Sequence, residues 1–169
     1  VWVGETDNIR REDVDMALAK AAPDYEVLAT LATNESYRIM MATVNQQLPG
    51  LDVSPAALSL TMDKHRCRNA LLKSELSQAH CYEVNGQTLA QIKASGDDYF
   101  IKPNRGAGSF ACFRLTDDLT MDRIEALQQQ MKSDKLFAAI FNGEYGFTAE
   151  RFISGEEFSF EAFVVDNQS

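Results

Sequence analysis

Cysteine is scarce, with only Cys67, Cys81 and Cys112 in 169 residues. They are odd in number and widely spaced, with no CxxC pair and no histidine at a zinc-ligand interval, although His80 adjoins Cys81. This argues against a disulfide framework or a zinc site and for reduced thiols in or near a core. Histidine is scarcer still: His65 and His80 stand in no nucleophile motif, and the chain contains no GxSxG. Long apolar runs are absent. The longest, such as Leu136 to Phe141 and Ala162 to Val165, fall far below the roughly 20 residues of a membrane helix. Positive charge is in deficit, 16 Lys and Arg against 25 Asp and Glu, for a formal net charge of −9. That balance, with a pI near 4.7, argues against nucleic acid and anionic membranes as partners, while leaving room for a local basic pocket. The opening VWVGETDN lacks the basic-then-apolar pattern of a secretory signal, so the expectation is a cytoplasmic protein. The chain starts on Val1 rather than methionine, which suggests processing or excision from something longer.

What is present is an ordinary globular composition, 45% apolar and 24% charged. Val14, Ala17, Leu18 and Ala21 recur at helical spacing and predict a short helix ending before Pro23. Glu26 to Leu31 (EVLATL) is a strand-compatible run. Thr33 or Asn34 is placed to cap a second helix with Tyr37, Met40, Met41, Val44 and Leu48 on one stripe, stopped by Pro49-Gly50. Helix, strand, helix in this order predicts part of an α/β layer with a parallel sheet. After a loop around Asp52 to Pro55, Thr61 is placed to cap a third helix with Cys67, Leu71, Leu72 and Leu76 inward. A turn at Asn85-Gly86 precedes a weaker helix carrying Leu89 and Ile92. From residue 98 the pattern becomes hairpin-like: Tyr99 to Lys102 and Ser109 to Leu115 read as strands joined by the turn Pro103 to Gly108. A helix with Ile124, Leu127 and Met131 follows, capped by Thr120. Phe147 to Ile153 and Phe158 to Val165 read as two further strands around Ser154-Gly155. The α/β part gives way near residue 60 to an α+β part.

The stretch with the most chemistry is FIKPNRGAGSFACFRL, Phe100 to Leu115. A strand-terminal Lys102 precedes a loop with Gly106, Gly108 and Ser109. Glycines let backbone amides approach an anion, and the lysine adds a point charge. A glycine-containing hairpin turn is the plainer reading of the same residues. The segment Gly106 to Ala111 fits the dinucleotide fingerprint letter for letter, but that motif needs a helix to open at the glycines, and the continuation here is β-rich. A kinase glycine loop precedes its lysine rather than following it. A Walker A loop needs Gly-Lys-Ser/Thr after the glycines, which is absent.

Three further pieces make the loop specific. Upstream stands Met62-Asp63-Lys64-His65-Arg66-Cys67-Arg68 at a helix start. Downstream stand Glu150-Arg151-Phe152-Ile153 and Ser154-Gly155-Glu156-Glu157-Phe158-Ser159. In this order the pattern resembles the ATP-grasp superfamily, specifically its carboxylate–amine ligases of the biotin carboxylase and D-Ala-D-Ala ligase kind. Ala32 to Leu51 is similar to the end of the pre-ATP-grasp domain, so the resemblance covers about residues 25–166. It implies a fold of class α/β (α+β): the end of a Rossmann-like pre-ATP-grasp domain over residues 1–60, a first ATP-grasp lobe with the phosphate loop over 61–147, and the adenine hinge with the start of a second lobe over 148–169.

The resemblance also implies roles. Lys64 and Lys102 would reach phosphate oxygens of ATP, and Gly106, Ala107, Gly108 and Ser109 would close over the β- and γ-phosphates as a lid. Glu150 and the Arg151 carbonyl would accept from the purine amino group, the Ile153 amide would donate to a ring nitrogen, and Glu157 would accept from the ribose hydroxyls. Arg105 reads as a surface residue of the loop, and Arg66 and Arg68 as solvated or salt-bridged, with one of them able to face the cleft. No residue emerges as a nucleophile. The implied reaction is ATP-dependent activation of a carboxylate as an acyl phosphate, attacked by an amine, with release of ADP and phosphate. Alternatives are a biotin-carboxylase-like or purine-biosynthetic enzyme, and a non-catalytic ATP-binding module. The implied cofactors are ATP and Mg²⁺, with the metal ligands expected beyond Ser169 and none within the chain. The implied partners are a small carboxylate and an amine, and a homodimer is compatible with the pattern. Two departures stand out: Ala111 occupies a position where the family often has Gly, which would stiffen the lid, and Gln78 to Val84 replaces the usual Gly-(Leu/Ile)-Pro-x-Pro stretch.

Overall fold

The structure, a computed structural model, describes residues 9–50, 52–135 and 138–161. Short polar residues start several of its helices. Asn34 accepts from the Ser36 amide before a helical turn at Glu35–Tyr37, and Ser54 accepts from the Ala57 amide with Pro55 at the first helical position. Asn85 accepts from the amides of Gln87 and Thr88, and Thr120 from that of Arg123. Each satisfies donors that a helix start leaves open. The helices are α1 (Arg11–Ala21), α2 (Arg38–Asn45), α3 (Pro55–Met62), α4 (Lys64–Lys73), α5 (Gly86–Ser95), α6 (Met121–Ser133) and α7 (Ala138–Phe141). The strands are β1 (Cys81–Glu83), β2 (Tyr99–Pro103), β3 (Phe113–Arg114) and β4 (Phe147–Arg151), joined in one sheet of order β1-β4-β2-β3 with every pairing antiparallel.

Alternation along the strands gives the sheet two different faces. Tyr99 and Ile101 of β2 and Phe147 and Ala149 of β4 enter the main core with Leu89 and Ile92 of α5 and Ile124, Leu127 and Met131 of α6. The residues between them, Lys102, Thr148 and Glu150, point to the opposite face, where the side chains of α4 meet them. A smaller cluster of Val14, Met41 and Val44, with Leu18, Met40 and Leu48 against it, holds α1 to α2. Helix α3 packs on both α2 and α4.

Several expectations change. Among the described residues there is no parallel sheet, and Glu26 to Leu31 forms no strand. Its backbone is satisfied otherwise: the Leu28 carbonyl accepts from the Gly50 amide at 2.7 Å, and Thr30 exchanges hydrogen bonds with the Asn45 side chain. A strand needs a neighbouring strand to pair with, and that run has none here. The expected Rossmann-like architecture is therefore not seen. Helix α2 ends at Asn45, ahead of Pro49-Gly50 rather than at it, and a Cβ on Gly50 would collide with the Leu28 carbonyl. Residues 55–62 form a helix that the pattern did not predict, and Asp63 rather than Thr61 caps α4. The Leu76 side chain lies past α4 and is exposed rather than inward.

The stretch from Ser109 to Leu115 pairs only at Phe113–Arg114. Gly108, Ser109 and Ala111 there have φ of 61°, 57° and 53°, which curls the chain away from the sheet. Phe147 to Arg151 pairs as a strand, but residues 152–161 are irregular, and the rest of the expected last strand lies outside the described residues.

Candidate nucleotide cleft

Helix α4 begins where two elements constrain it. Its cap, Asp63, is 4% exposed, and the carboxylate accepts from the Arg66 amide at 2.8 Å. The Lys64 amide donates to the Asn104 carbonyl in the glycine loop at 2.8 Å. These contacts aim Lys64 at the loop, and its ammonium donates to the Gly106 carbonyl at 3.0 Å. One turn on, Cys67 and Arg68 share the same side of α4 and line the same cleft.

The sheet supplies the other wall. In the β2–β4 pairing, Lys102 stands opposite Thr148, so Glu150 lies diagonally across from it, within reach of a long side chain. The Lys102 ammonium sits 2.8 Å from Glu150 Oε2, and Arg68 Nη2 sits 3.2 Å from the same oxygen. Glu150 is 7% exposed. Thr61, Lys64, Cys67, Arg68, Leu71, Lys102 and Glu150 together line a cleft of about 140 Å³. Three cations thus face one carboxylate in a chain whose formal charge is −9. Burial holds the Lys64 ammonium below its ordinary range. Lys102 adds to that effect, and Cys112, Glu35 and Glu150 oppose it. The Cys112 thiol is pushed up by burial, partly offset by Lys64 and Lys102, which places it near both lysines.

Deeper on this face is a polar cluster that the sequence did not reveal. His65 Nδ1 lies 3.3 Å from both Thr148 Oγ1 and Cys81 Sγ, and its Nε2 lies 3.0 Å from the Asn69 side-chain nitrogen. Burial raises the Cys81 thiol above its ordinary value, so the thiol stays protonated and the cluster bonds α4 to the sheet.

The glycine loop is anchored at its base. Arg105, expected at the surface, is 2% exposed: its Nε donates to the Ile140 carbonyl at 3.1 Å, and Nη1 lies 3.9 Å from Glu144. Beyond it, Gly108 and Ser109 are exposed. Ala111 holds a left-handed φ of 53°, a conformation that costs an alanine about 1–2 kcal/mol relative to glycine. That is the physical reason for a glycine preference at this position. No helix opens after the loop, in line with rejecting the dinucleotide-fold reading.

Of the residues singled out from the sequence, Lys64, Lys102, Gly106 and Glu150 are thus brought together. Arg151 sits at the end of β4 with its guanidinium on Asp97 at 3.1 Å, and its amide donates to the His80 carbonyl. Arg151 and Ile153 border a separate open hollow of about 420 Å³, together with Ser77, Gln78, Ala79, Phe152 and Ser154. Glu157 lies in the exposed irregular segment after β4. Arg68 is the cleft residue whose part the sequence left open; its signal is the spacing of four from Lys64 on one helix.

Among the described residues no three His, Cys, Asp or Glu side chains converge as a metal site. Among the described residues Glu150 is the one carboxylate lining the cleft, and it is already engaged by two cations. The donor set present therefore does not fit Mg²⁺. No described helix is long and apolar enough to cross a membrane.

No family model matches the chain, and no curated protein is significantly similar to it in sequence. Solved structures are similar in fold. Over 86% of this chain and 31% of its own length, an L-amino acid ligase from Bacillus licheniformis superposes with a TM-score of 0.56 at 16% identity. A D-alanine–D-alanine ligase from Bacillus anthracis does so over 83% of this chain and 44% of its own, with a TM-score of 0.54 at 18% identity. The chain therefore spans less than half the length of either. Both are ligases, and the likeness to them is one of fold, in keeping with the resemblance read from the motifs.

Proposed function

We propose that this chain is the nucleotide-binding part of an ATP-grasp ligase, one that activates a carboxylate as an acyl phosphate for attack by an amine and releases ADP and phosphate. The observation that carries this reading is the convergence of Lys64, Arg68 and Lys102 on one cleft of an acidic chain, beneath a glycine loop tied to Lys64. At about 140 Å³ the cleft is smaller than the roughly 300–1,000 Å³ of a whole small-molecule site, and its size suits a phosphate tail.

In this reading Lys64 and Lys102 neutralise phosphate oxygens. Lys64 exchanges the Gly106 carbonyl for phosphate, so that binding and loop movement are linked. Gly106, Ala107, Gly108 and Ser109 cover the phosphates, with the hinge of that motion beyond the buried Arg105. Glu150, the Arg151 carbonyl and the Ile153 amide address the base, and Glu157 the ribose. The chain's contribution to rate is positioning and charge neutralisation at the transferred phosphoryl group.

The test is the product released by the full-length protein with ATP, Mg²⁺ and pooled carboxylates and amines. ADP and phosphate that depend on both pools support the reading, whereas AMP and pyrophosphate exclude the acyl-phosphate route. Binding of ATP without turnover points to a non-catalytic module. Lys102→Ala is expected to abolish ADP release while the far-UV circular dichroism stays native. Unchanged turnover in that variant counts against the site.

A further inference from the structure

Lys102 and Arg68 both engage Glu150 through one oxygen, Oε2, at 2.8 and 3.2 Å, and Oε1 takes part in neither contact. Arg68 reaches this point from α4 and Lys102 from β2, so two independent elements fix the carboxylate from two sides. The Arg68 side chain is 27% exposed on the cleft wall, and Glu150 ends the buried part of β4, one residue before Arg151, which borders the neighbouring hollow. A carboxylate only accepts hydrogen bonds, and two cations on one oxygen decide which oxygen is left to accept another.

From this we infer that Arg68 is a specificity-determining positioning residue: by holding the Glu150 carboxylate oriented, with Oε1 left to face the base, it makes the nucleotide site select a 6-amino purine over a 6-oxo purine. This deepens the ATP-binding reading and rests on it. A 6-amino group donates to Oε1. A 6-oxo group presents a lone pair to a charged acceptor and leaves both unsatisfied, a mismatch that sites built around one hydrogen bond penalise heavily. Arg68 is needed because Lys102 is also placed for phosphate. When a triphosphate draws Lys102 away, Arg68 remains as the cation holding the carboxylate. Without it, the Glu150 carboxylate is released to turn, and Oε1 no longer stands where a 6-amino group would meet it.

The experiment is displacement of trinitrophenyl-ATP from the full chain by unlabelled ATP and GTP, for wild type, Arg68→Met, Arg68→Lys and Lys102→Met. Wild type is expected to favour ATP by at least about thirtyfold, within the range of one unsatisfied buried hydrogen bond. Arg68→Met is expected to bring the ratio below about threefold, Arg68→Lys to restore most of it, and Lys102→Met to weaken both nucleotides with the ratio kept. Equal weakening of ATP and GTP in Arg68→Met would make Arg68 a phosphate ligand and overturn the inference. A ratio unchanged in Arg68→Met would overturn it as well. Either result leaves the ATP-binding reading intact, whereas a wild-type chain that binds neither nucleotide removes both.

Discussion

Glu150→Gln isolates the electrostatics of the cleft, because it keeps the side chain's shape and removes its charge. In the native chain the carboxylate is 7% exposed and holds Lys102 at 2.8 Å and Arg68 at 3.2 Å. Removing one partner of a fully buried pair costs about 3–5 kcal/mol, since an uncompensated charge stays behind. Here the cations left behind are 20% and 27% exposed in their side chains, and water screens them in part. The expected loss is therefore about 2 kcal/mol, toward the upper end of what partly exposed pairs contribute. With a urea slope of about 2 kcal/mol/M for a chain of this size, the unfolding midpoint should fall by about 1 M. The deficit should shrink with added salt. Inorganic tripolyphosphate should stabilise the variant more than wild type, because three cations then face the cleft without an internal anion. A midpoint within about 0.2 M of wild type, or equal stabilisation by tripolyphosphate, would refute the claim that this carboxylate holds mutually repelling cations together.

Two further expectations follow from neighbouring geometry. Asp63→Ala removes the buried cap of α4 and should cost about 1–2 kcal/mol in urea unfolding. It should also weaken nucleotide binding, since the same turn places Lys64. Asp52 is held by Arg38 at 2.7 Å, and that contact, with help from Asn45, lowers its carboxyl from 3.8 to about 2. A lowered folded-state value means that this contribution is present above pH 3.8 and is lost as pH falls through about 2. After discounting for solvent it is about 1 kcal/mol, and Asp52→Asn should flatten the acid limb of a stability-versus-pH curve by that amount.

The cleft shows why motif order was informative while some local assignments failed. Asp63-Lys64, Lys102-Pro103 and Glu150-Arg151 are far apart in the chain, and no local rule joins them. Their grouping was legible only as a pattern carried by resemblance. Where a side chain's environment is built by its own helix turn or strand period, the sequence sufficed: Thr120 caps as expected, and Ile124, Leu127 and Met131 are buried as a stripe. Where pairing or burial comes from distant partners, it did not. EVLATL has every local property of a strand, yet Asn45 and Gly50 take up its backbone groups. Arg105 has the sequence context of a loop surface, yet the Ile140 carbonyl and Glu144 give its charge a buried place.

By itself the sequence determined the start of α6 at Thr120, the alternation that separates a core face from a polar face in β2 and β4, and the residue types able to hold a phosphate. Those properties depend on neighbours within one turn or one pleat, where backbone geometry dictates which side chains meet. Only the tertiary structure decided that Arg68 joins Lys102 on one carboxylate oxygen, that His65 seals α4 to the sheet beside Cys81 and Thr148, and that the glycine loop curls instead of pairing. Each of these depends on where α4 lies across the sheet, a placement set by the packing of α3 and β1 around it rather than by any stretch of sequence read alone.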